Sequence, residues 1–312
     1  MSASALLRAV PGHWPITVGS APRCTGLAPG TTTTVPRVTT MTVPSPDFVS
    51  LRGRRFALTD FGGPGTPVLA LHGHFGRGRM YAPLAAALGP AYRVIALDQR
   101  GHGLTGGGGP FTLDEYVADA AALLDELDHG PVPVVAHSTG AVAAYALAAR
   151  HPELVSALVV EDIGAVTDRP VVSHPVLDVS GWPTWAADRE GLRAQIESRG
   201  IHDASYFLDS AEPDRATGGW RLLFEPAHMM ASQEAMRGDF WSEWLGSACP
   251  ALLMHGEHSS LLPPGHAREM ARRRPRTTLR EFAGCGHWIH DDAPKEYAWA
   301  VGRFLGSLPA EG

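Results

Sequence analysis

The chain has 312 residues, 44% of them hydrophobic and 19% charged, with 35 Gly, 26 Pro, 3 Cys and a formal charge of −6. That size and apolar content suit one large or two modest folded domains, while the net negative charge disfavours a nucleic-acid or anionic-lipid binder. The three scattered cysteines disfavour a disulfide framework or zinc site, and the longest apolar run, Ala141–Ala149, is about half of what a membrane span needs.

Residues 1–45 are rich in Thr, Pro and Gly, show no apolar period and read as a disordered leader. The amino terminus has no apolar stretch followed by a small-residue cleavage site, so a cytoplasmic protein is expected. Strands are then predicted at Phe48–Leu51, Arg55–Thr59 and Val68–His72, a helix at Met80–Leu88 and a strand at Tyr92–Asp98. A helix over Thr112–Leu127, a strand over Val132–His137, a helix over Gly140–Arg150 and a strand over Ser156–Glu161 continue the alternation. Residues 164–248 break it, being helical in character and rich in Trp, Met and Phe, and read as an inserted cap. The alternation resumes with a strand at Ala251–His255, a helix at Gly265–Arg274, a strand at Thr278–Phe282 and a helix at Pro294–Leu308. The expected architecture is an α/β fold with a mostly parallel eight-stranded sheet and helices on both faces. Its core is residues 46–163 and 249–312, and 164–248 form a helical cap.

The most informative stretch runs from Pro131 to Tyr145, a buried strand, a short turn and a helix opening with small residues. Its centre, Ala136-His137-Ser138-Thr139-Gly140, follows the G-x-S-x-G pattern with Ala in place of the first Gly. In that turn the serine is held in a strained conformation with its hydroxyl exposed above the sheet, and small neighbours permit it. A plain helix-capping serine is the alternative reading of Ser138. Two further stretches accompany it upstream, Val68-Leu-Ala-Leu-His-Gly-His-Phe-Gly76 and Asp98-Gln-Arg-Gly-His-Gly103. Downstream, His287 lies in the loop after the last strand, within Gly284-Cys-Gly-His-Trp-Ile-His-Asp-Asp.

Taken in this order, the set resembles the α/β-hydrolase superfamily, in particular bacterial esterase-like members with a helical lid, over roughly residues 48–308. A serine hydroxyl is a weak nucleophile at neutral pH, so an imidazole must take its proton, and His287 is the candidate. The resemblance implies an orienting carboxylate after the seventh strand, but that loop, Gly256-Glu-His-Ser-Ser-Leu-Leu-Pro263, has Ser259 and Ser260 at the two expected positions. The sixth strand ends in Glu161 and Asp162 instead, and some hydrolases of the superfamily draw the acid from there. Strand alternation lets only one of the pair face His287. Asp162 is the expected acid, Glu161 is expected on the other face in a structural pair, and Glu257 is the outside candidate. For the oxyanion, the resemblance points to the backbone N–H groups of Thr139 and His74, with Phe75 as an alternative to His74. It also implies that Trp288 and His290 shape the loop around His287.

Asp98, Arg100 and His102 are expected to be structural, with Asp98 and Arg100 forming a carboxylate–guanidinium pair across a glycine-permitted turn. His72, His74, His102 and His258 show no spacing that matches a metal site, so neither metal nor cofactor is expected. The cap carries Trp182, Trp185, Trp220, Trp241 and Trp244 with Tyr206, Phe207, Phe224, Phe240, Met229, Met230 and Met236; most should pack and some should roof the pocket. The expected activity is hydrolysis of an ester, thioester or lactone of a hydrophobic small molecule through an acyl-enzyme. Alternatives are carbon–carbon bond hydrolysis or cofactor-free peroxidase chemistry on the same fold, or ligand binding without catalysis. Ser138 excludes epoxide hydrolases and haloalkane dehalogenases, which need a carboxylate nucleophile there. The expected partner is a small hydrophobic substrate, with no nucleic acid or membrane, and the chain a monomer or homodimer.

Overall fold

The computed structural model describes residues 43–309. The leader expected over residues 1–45 therefore lies outside the described residues except for its last three. Strands β1 (Asp47–Leu51), β2 (Arg54–Asp60) and β3 (Thr66–Leu71) are followed by α1 (Ala82–Leu88), β4 (Tyr92–Leu97), α2 (Leu113–Leu127), β5 (Val132–His137), α3 (Thr139–Arg150) and β6 (Val155–Glu161). A segment containing β7 (Trp185–Ala186), α4 (Arg189–Glu197), α5 (Ser205–Asp209), β8 (Ala211–Pro213), β9 (Trp220–Leu222), α6 (Pro226–Ala235) and α7 (Trp241–Leu245) comes next. The chain then closes with β10 (Ala251–Gly256), α8 (Pro264–Arg273), β11 (Thr277–Phe282), α9 (Ile289–Asp292) and α10 (Pro294–Leu305).

Eight strands make one sheet in the order β1-β2-β4-β3-β5-β6-β10-β11. The β1–β2 and β2–β4 pairs are antiparallel and the other five are parallel. A parallel strand covered on both faces reads as an unbroken apolar run, and β5, Val-Pro-Val-Val-Ala-His, is buried at every position. Helices α2 and α3 cover one face and α1 and α10 the other, each face with its own buried cluster. Helix α3 lies very close to the sheet because Gly140 has no side chain: a Cβ there would sit 2.3 Å from the His72 carbonyl oxygen. The parallel strands end at one edge, where an open α/β sheet carries its ligand sites.

The insertion is less helical than expected. Besides α4 to α7 it holds a three-stranded antiparallel sheet in the order β7-β9-β8, with strands of two or three residues. Such short strands have no period for a sequence pattern to reveal. Its interior is a third apolar cluster into which Phe75 of the main domain reaches. Among the described residues no helix is long and apolar enough to cross a membrane.

Candidate active site

Ser138 follows β5 directly and takes φ 52°, ψ −130°. That region costs a non-glycine residue about 1–3 kcal/mol and persists only where the surroundings enforce it. Here the Ser138 N–H donates to the Glu161 carbonyl at 2.9 Å, and the Ser138 carbonyl accepts the first bond of α3 from Ala141 at 2.8 Å. Asp162 stands in the same relation to β6, with φ 51° and its N–H donating to the Met254 carbonyl at 2.9 Å. Both side chains are thereby turned up at the strand ends, one strand apart.

The Asp162 carboxylate is fully buried and accepts three hydrogen bonds: from Gly256 N–H at 2.9 Å, from Ser259 Oγ at 2.5 Å and from His287 Nδ1 at 2.8 Å. Because the carboxylate can only accept, Nδ1 carries the proton and Nε2 is left as an acceptor. That nitrogen lies 3.0 Å from Ser138 Oγ. Ser259 stands where the resemblance implies the acid, and a hydroxyl cannot replace a carboxylate there. The structure gives it a different part: its hydroxyl receives the N–H groups of Leu261 and Leu262 and donates to Asp162. The signal available was its position, where the resemblance implied the carboxylate itself. Glu257 points elsewhere and accepts from the Gly284 N–H at 2.8 Å.

The loop after β3 comes against Ser138 because residue 73 is glycine; a Cβ there would lie 2.8 Å from both Ser138 Cβ and His137 Nδ1. His74, Phe75 and Thr139 line the same cavity as Ser138. The His74 imidazole bonds Ser232 on α6 at 2.8 Å, and Ser232 in turn bonds Tyr116 at 2.7 Å. The insertion holds this loop at further points: Tyr206 donates to the His74 carbonyl, Ser210 to the Phe75 carbonyl, and Arg77 bonds the Asp209 carbonyl and Glu212. Burial, with His102 and His287 nearby, holds His74 well below the usual histidine range and therefore neutral.

The expected Asp98–Arg100 pair does not form. Arg100 makes a two-pronged bond to Asp119 on α2, at 2.6 and 2.8 Å, with Glu115 at 2.7 Å, whereas Asp98 accepts from the N–H groups of Gly78 and Leu104. Two acids of α2 take the guanidinium, and backbone N–H groups take the Asp98 carboxylate. His72 accepts from the Gln99 N–H through Nε2 and bonds the Gly73 carbonyl, while His102 bonds the Arg100 carbonyl. Burial pushes these two rings down to about 4 and about 3.

Three residues adjoin Ser138, Asp162 and His287. Glu161, fully buried, accepts from the His290 N–H at 2.9 Å and from His290 Nδ1 at 2.7 Å. This is the structural pair expected for Glu161, and its partner is His290, in the loop that the resemblance implies His290 shapes. His137 Nε2 lies 3.1 Å from the His287 carbonyl oxygen. Burial alone would depress His290, but the Glu161 charge and hydrogen bond, with Asp291 and Asp292, raise it to about 9; burial and the neighbouring His287 and His290 hold His137 well below its usual range. Among the described residues His137, Glu161 and His290 are also the one group of three candidate metal ligands, their ligand atoms all within 4.8 Å of one another.

Ser138 and His287 open on a cavity of about 850 Å³. Its apolar lining includes Phe75, Met80, Ile163, Leu177, Tyr206, Phe207, Met236, Leu261 and Trp288. Of the aromatics and methionines of residues 164–248, then, Tyr206, Phe207 and Met236 reach the cavity, while the five tryptophans of that stretch do not; Trp244, for one, is fully buried and donates to the Met270 carbonyl. Val43, from the end of the expected leader, also lines the cavity.

This fold and this arrangement define a class, and comparison with known proteins names it. A family model for the alpha/beta hydrolase fold matches residues 66–294, and the chain belongs to that family. The chain is similar to 2-(acetamidomethylene)succinate hydrolase of Mesorhizobium japonicum (strain LMG 29417 / CECT 9101 / MAFF 303099), with 26% identity over 78% of this chain and 89% of that protein. It is similar also to the sn-1-specific diacylglycerol lipase ABHD11 of Mus musculus, with 27% identity over 76% of this chain and 80% of the relative. The crystal structure of E-2-(acetamidomethylene)succinate hydrolase superposes with a TM-score of 0.72 at 24% identity, covering 84% of this chain and 99% of that one. The relatives named here are hydrolases.

Proposed function

We propose that the protein is a serine hydrolase that cleaves an uncharged carboxylic ester, thioester or lactone of a hydrophobic acid through an acyl-enzyme on Ser138. The observation that carries this reading is the continuous chain Ser138 Oγ, His287 Nε2, His287 Nδ1, Asp162 Oδ2, with steps of 3.0 and 2.8 Å, at the floor of an apolar cavity. In the first half-reaction His287 Nε2 takes the Ser138 proton as Oγ attacks the carbonyl carbon. The resulting oxyanion is received by the backbone N–H groups of Thr139 and His74. His287 then gives its proton to the leaving alkoxide, thiolate or ring oxygen as the carbonyl re-forms. Water repeats the sequence in the second half-reaction: His287 deprotonates it, it attacks the acyl carbon, and the proton returns to Ser138. Asp162 stays ionised throughout and holds Nδ1–H, stabilising the imidazolium.

Charge at the cavity narrows the substrate. Asp203, Asp209, Asp291 and Asp292 line it against two basic side chains, Arg79, which is itself 3.6 Å from Asp209, and His290, whose ring faces Glu161 and Asp291. A carboxylate-bearing substrate meets repulsion there, so a succinate derivative of the kind named for the Mesorhizobium relative suits this cavity poorly. The test is hydrolysis of p-nitrophenyl esters. The reading expects turnover of a neutral hexanoate ester, lost by several powers of ten in Ser138→Ala, and at least about tenfold weaker kcat/KM on the ω-carboxylated analogue. Turnover unchanged in Ser138→Ala would sink it.

A further inference from the structure

Strands β5 and β6 each end in a pair of adjacent polar residues, His137-Ser138 and Glu161-Asp162. The second of each pair takes part in the hydrogen-bonded chain described above. The first of each pair is buried, His137 at 1% exposure and Glu161 at 0%, in strands that are otherwise apolar next to them. A buried ionisable group is costly and is often replaceable by an apolar one without loss of stability, so its presence in a strand interior calls for a role. The contacts point to that role. The Glu161 side chain bonds residue 290 twice, at the backbone N–H and at the ring, and the one side-chain hydrogen bond of His137 among the described residues goes to the carbonyl of residue 287.

We propose that His137 and Glu161 are positioning residues that grip the two ends of the turn from His287 to His290 and so fix the His287 imidazole between Asp162 and Ser138. The inference rests on the reading of Ser138, His287 and Asp162 as the reacting set. Its physical content is geometric. The residue before the nucleophile and the residue before the acid hold the loop that carries the base, so the three triad elements are locked together at a second point below the reacting atoms. The bond at residue 287 fixes the tautomer of His137, because a carbonyl can only accept, so His137 Nε2 carries its proton. At the other end Glu161 Oε1 accepts from both the His290 N–H and His290 Nδ1, so Nδ1 carries a proton.

The test uses the full-length protein and compares His137→Leu, which removes the donor, with His137→Gln, whose amide nitrogen reaches a similar place and restores it. Misplacing a catalytic group by about 1 Å costs on the order of 100-fold. His137→Leu is therefore expected to lower kcat and the rate of fluorophosphonate labelling by about 10–100-fold with KM changed less than about threefold, and His137→Gln to recover most of that loss. The low-field proton resonance of His287 Nδ1–H should broaden or vanish in His137→Leu and return in His137→Gln. If His137→Leu does not fold, Glu161→Met, which removes the acceptor of both bonds to His290, replaces it and should show the same loss in kcat and in the resonance. Equal rates in the Leu and Gln variants, or a loss confined to KM, would overturn the inference in favour of simple packing or substrate contact. A stoichiometric divalent ion in the purified protein, absent from His290→Gln, would overturn it in favour of a metal site. The parent reading fails separately: it falls if Ser138→Ala is labelled as fast as the wild type, whatever the His137 variants do.

Discussion

Replacing Asp162 by Asn is the most informative single change, because the surroundings dictate which way the new amide must lie. Oδ1 accepts from the Gly256 N–H at 2.9 Å, a backbone donor that cannot turn away, so the amide oxygen takes that place and the NH₂ group takes the place of Oδ2. It then faces His287 Nδ1, 2.8 Å away, and can only donate to it. The imidazole is forced into the tautomer protonated on Nε2, which cannot accept the Ser138 proton across the 3.0 Å gap. The corresponding change in a well-studied serine protease lowers kcat about 10⁴-fold, or roughly 5 kcal/mol of transition-state stabilisation. A loss of that order is expected here, with KM within about threefold, since no binding surface changes. The assay is steady-state hydrolysis of a neutral p-nitrophenyl ester, with circular dichroism and thermal melting to show that the variant is folded. Glu257→Gln is the control: its carboxylate serves the Gly284 N–H, and its loss should leave turnover within about twofold. An Asp162→Asn enzyme retaining more than about a tenth of wild-type kcat, or a collapse in Glu257→Gln, would refute the reasoning.

Three further outcomes follow from the same geometry. Ser259→Ala removes one of the three donors that hold the Asp162 carboxylate, and the looser carboxylate should lower kcat/KM by roughly tenfold or more. Gly73→Ala drives a Cβ to 2.8 Å from Ser138 Cβ, so turnover should fall by about 100-fold or more while thermal melting shows a folded protein. His290 titrates near 6.5 when unfolded and at about 9 in the folded protein, where the Glu161 charge outweighs the opposing effect of burial. Its raised pKa means the contribution is fully present below pH 6.5 and lost as pH rises through 9. Urea unfolding at pH 6 and pH 10 should show on the order of 3 kcal/mol more alkaline loss in the wild type than in Glu161→Gln, and equal losses would contradict it.

The strands were readable because buried parallel strands are short apolar runs; Val132–His137 is found at its predicted bounds and the other seven within two residues. Ser138 and His287 were visible because the elbow needs small neighbours and the loop follows the last strand. The choice of Asp162 came from an absence, the two serines after the seventh strand, combined with alternation along β6, and the structure puts its carboxylate 2.8 Å from His287 Nδ1. What stayed hidden depends on partners distant in sequence. Alternation sends Glu161 away from Asp162 but does not say that His290, 129 positions later, receives it. Likewise Arg100 takes Asp119 from a helix that no local pattern places over it. The part of Ser259 was obscured by a rule about charge: it cannot serve as the acid, yet its hydroxyl can hold one.

The central claim is that Ser138 forms the acyl-enzyme. It is tested most directly by incubating the protein with a fluorophosphonate probe, digesting it and locating the adduct by mass spectrometry. One adduct is expected, on the peptide containing Ser138, absent from Ser138→Ala and formed far more slowly in Asp162→Asn. An adduct on another residue, or none in a folded protein that turns over its ester, would contradict the account.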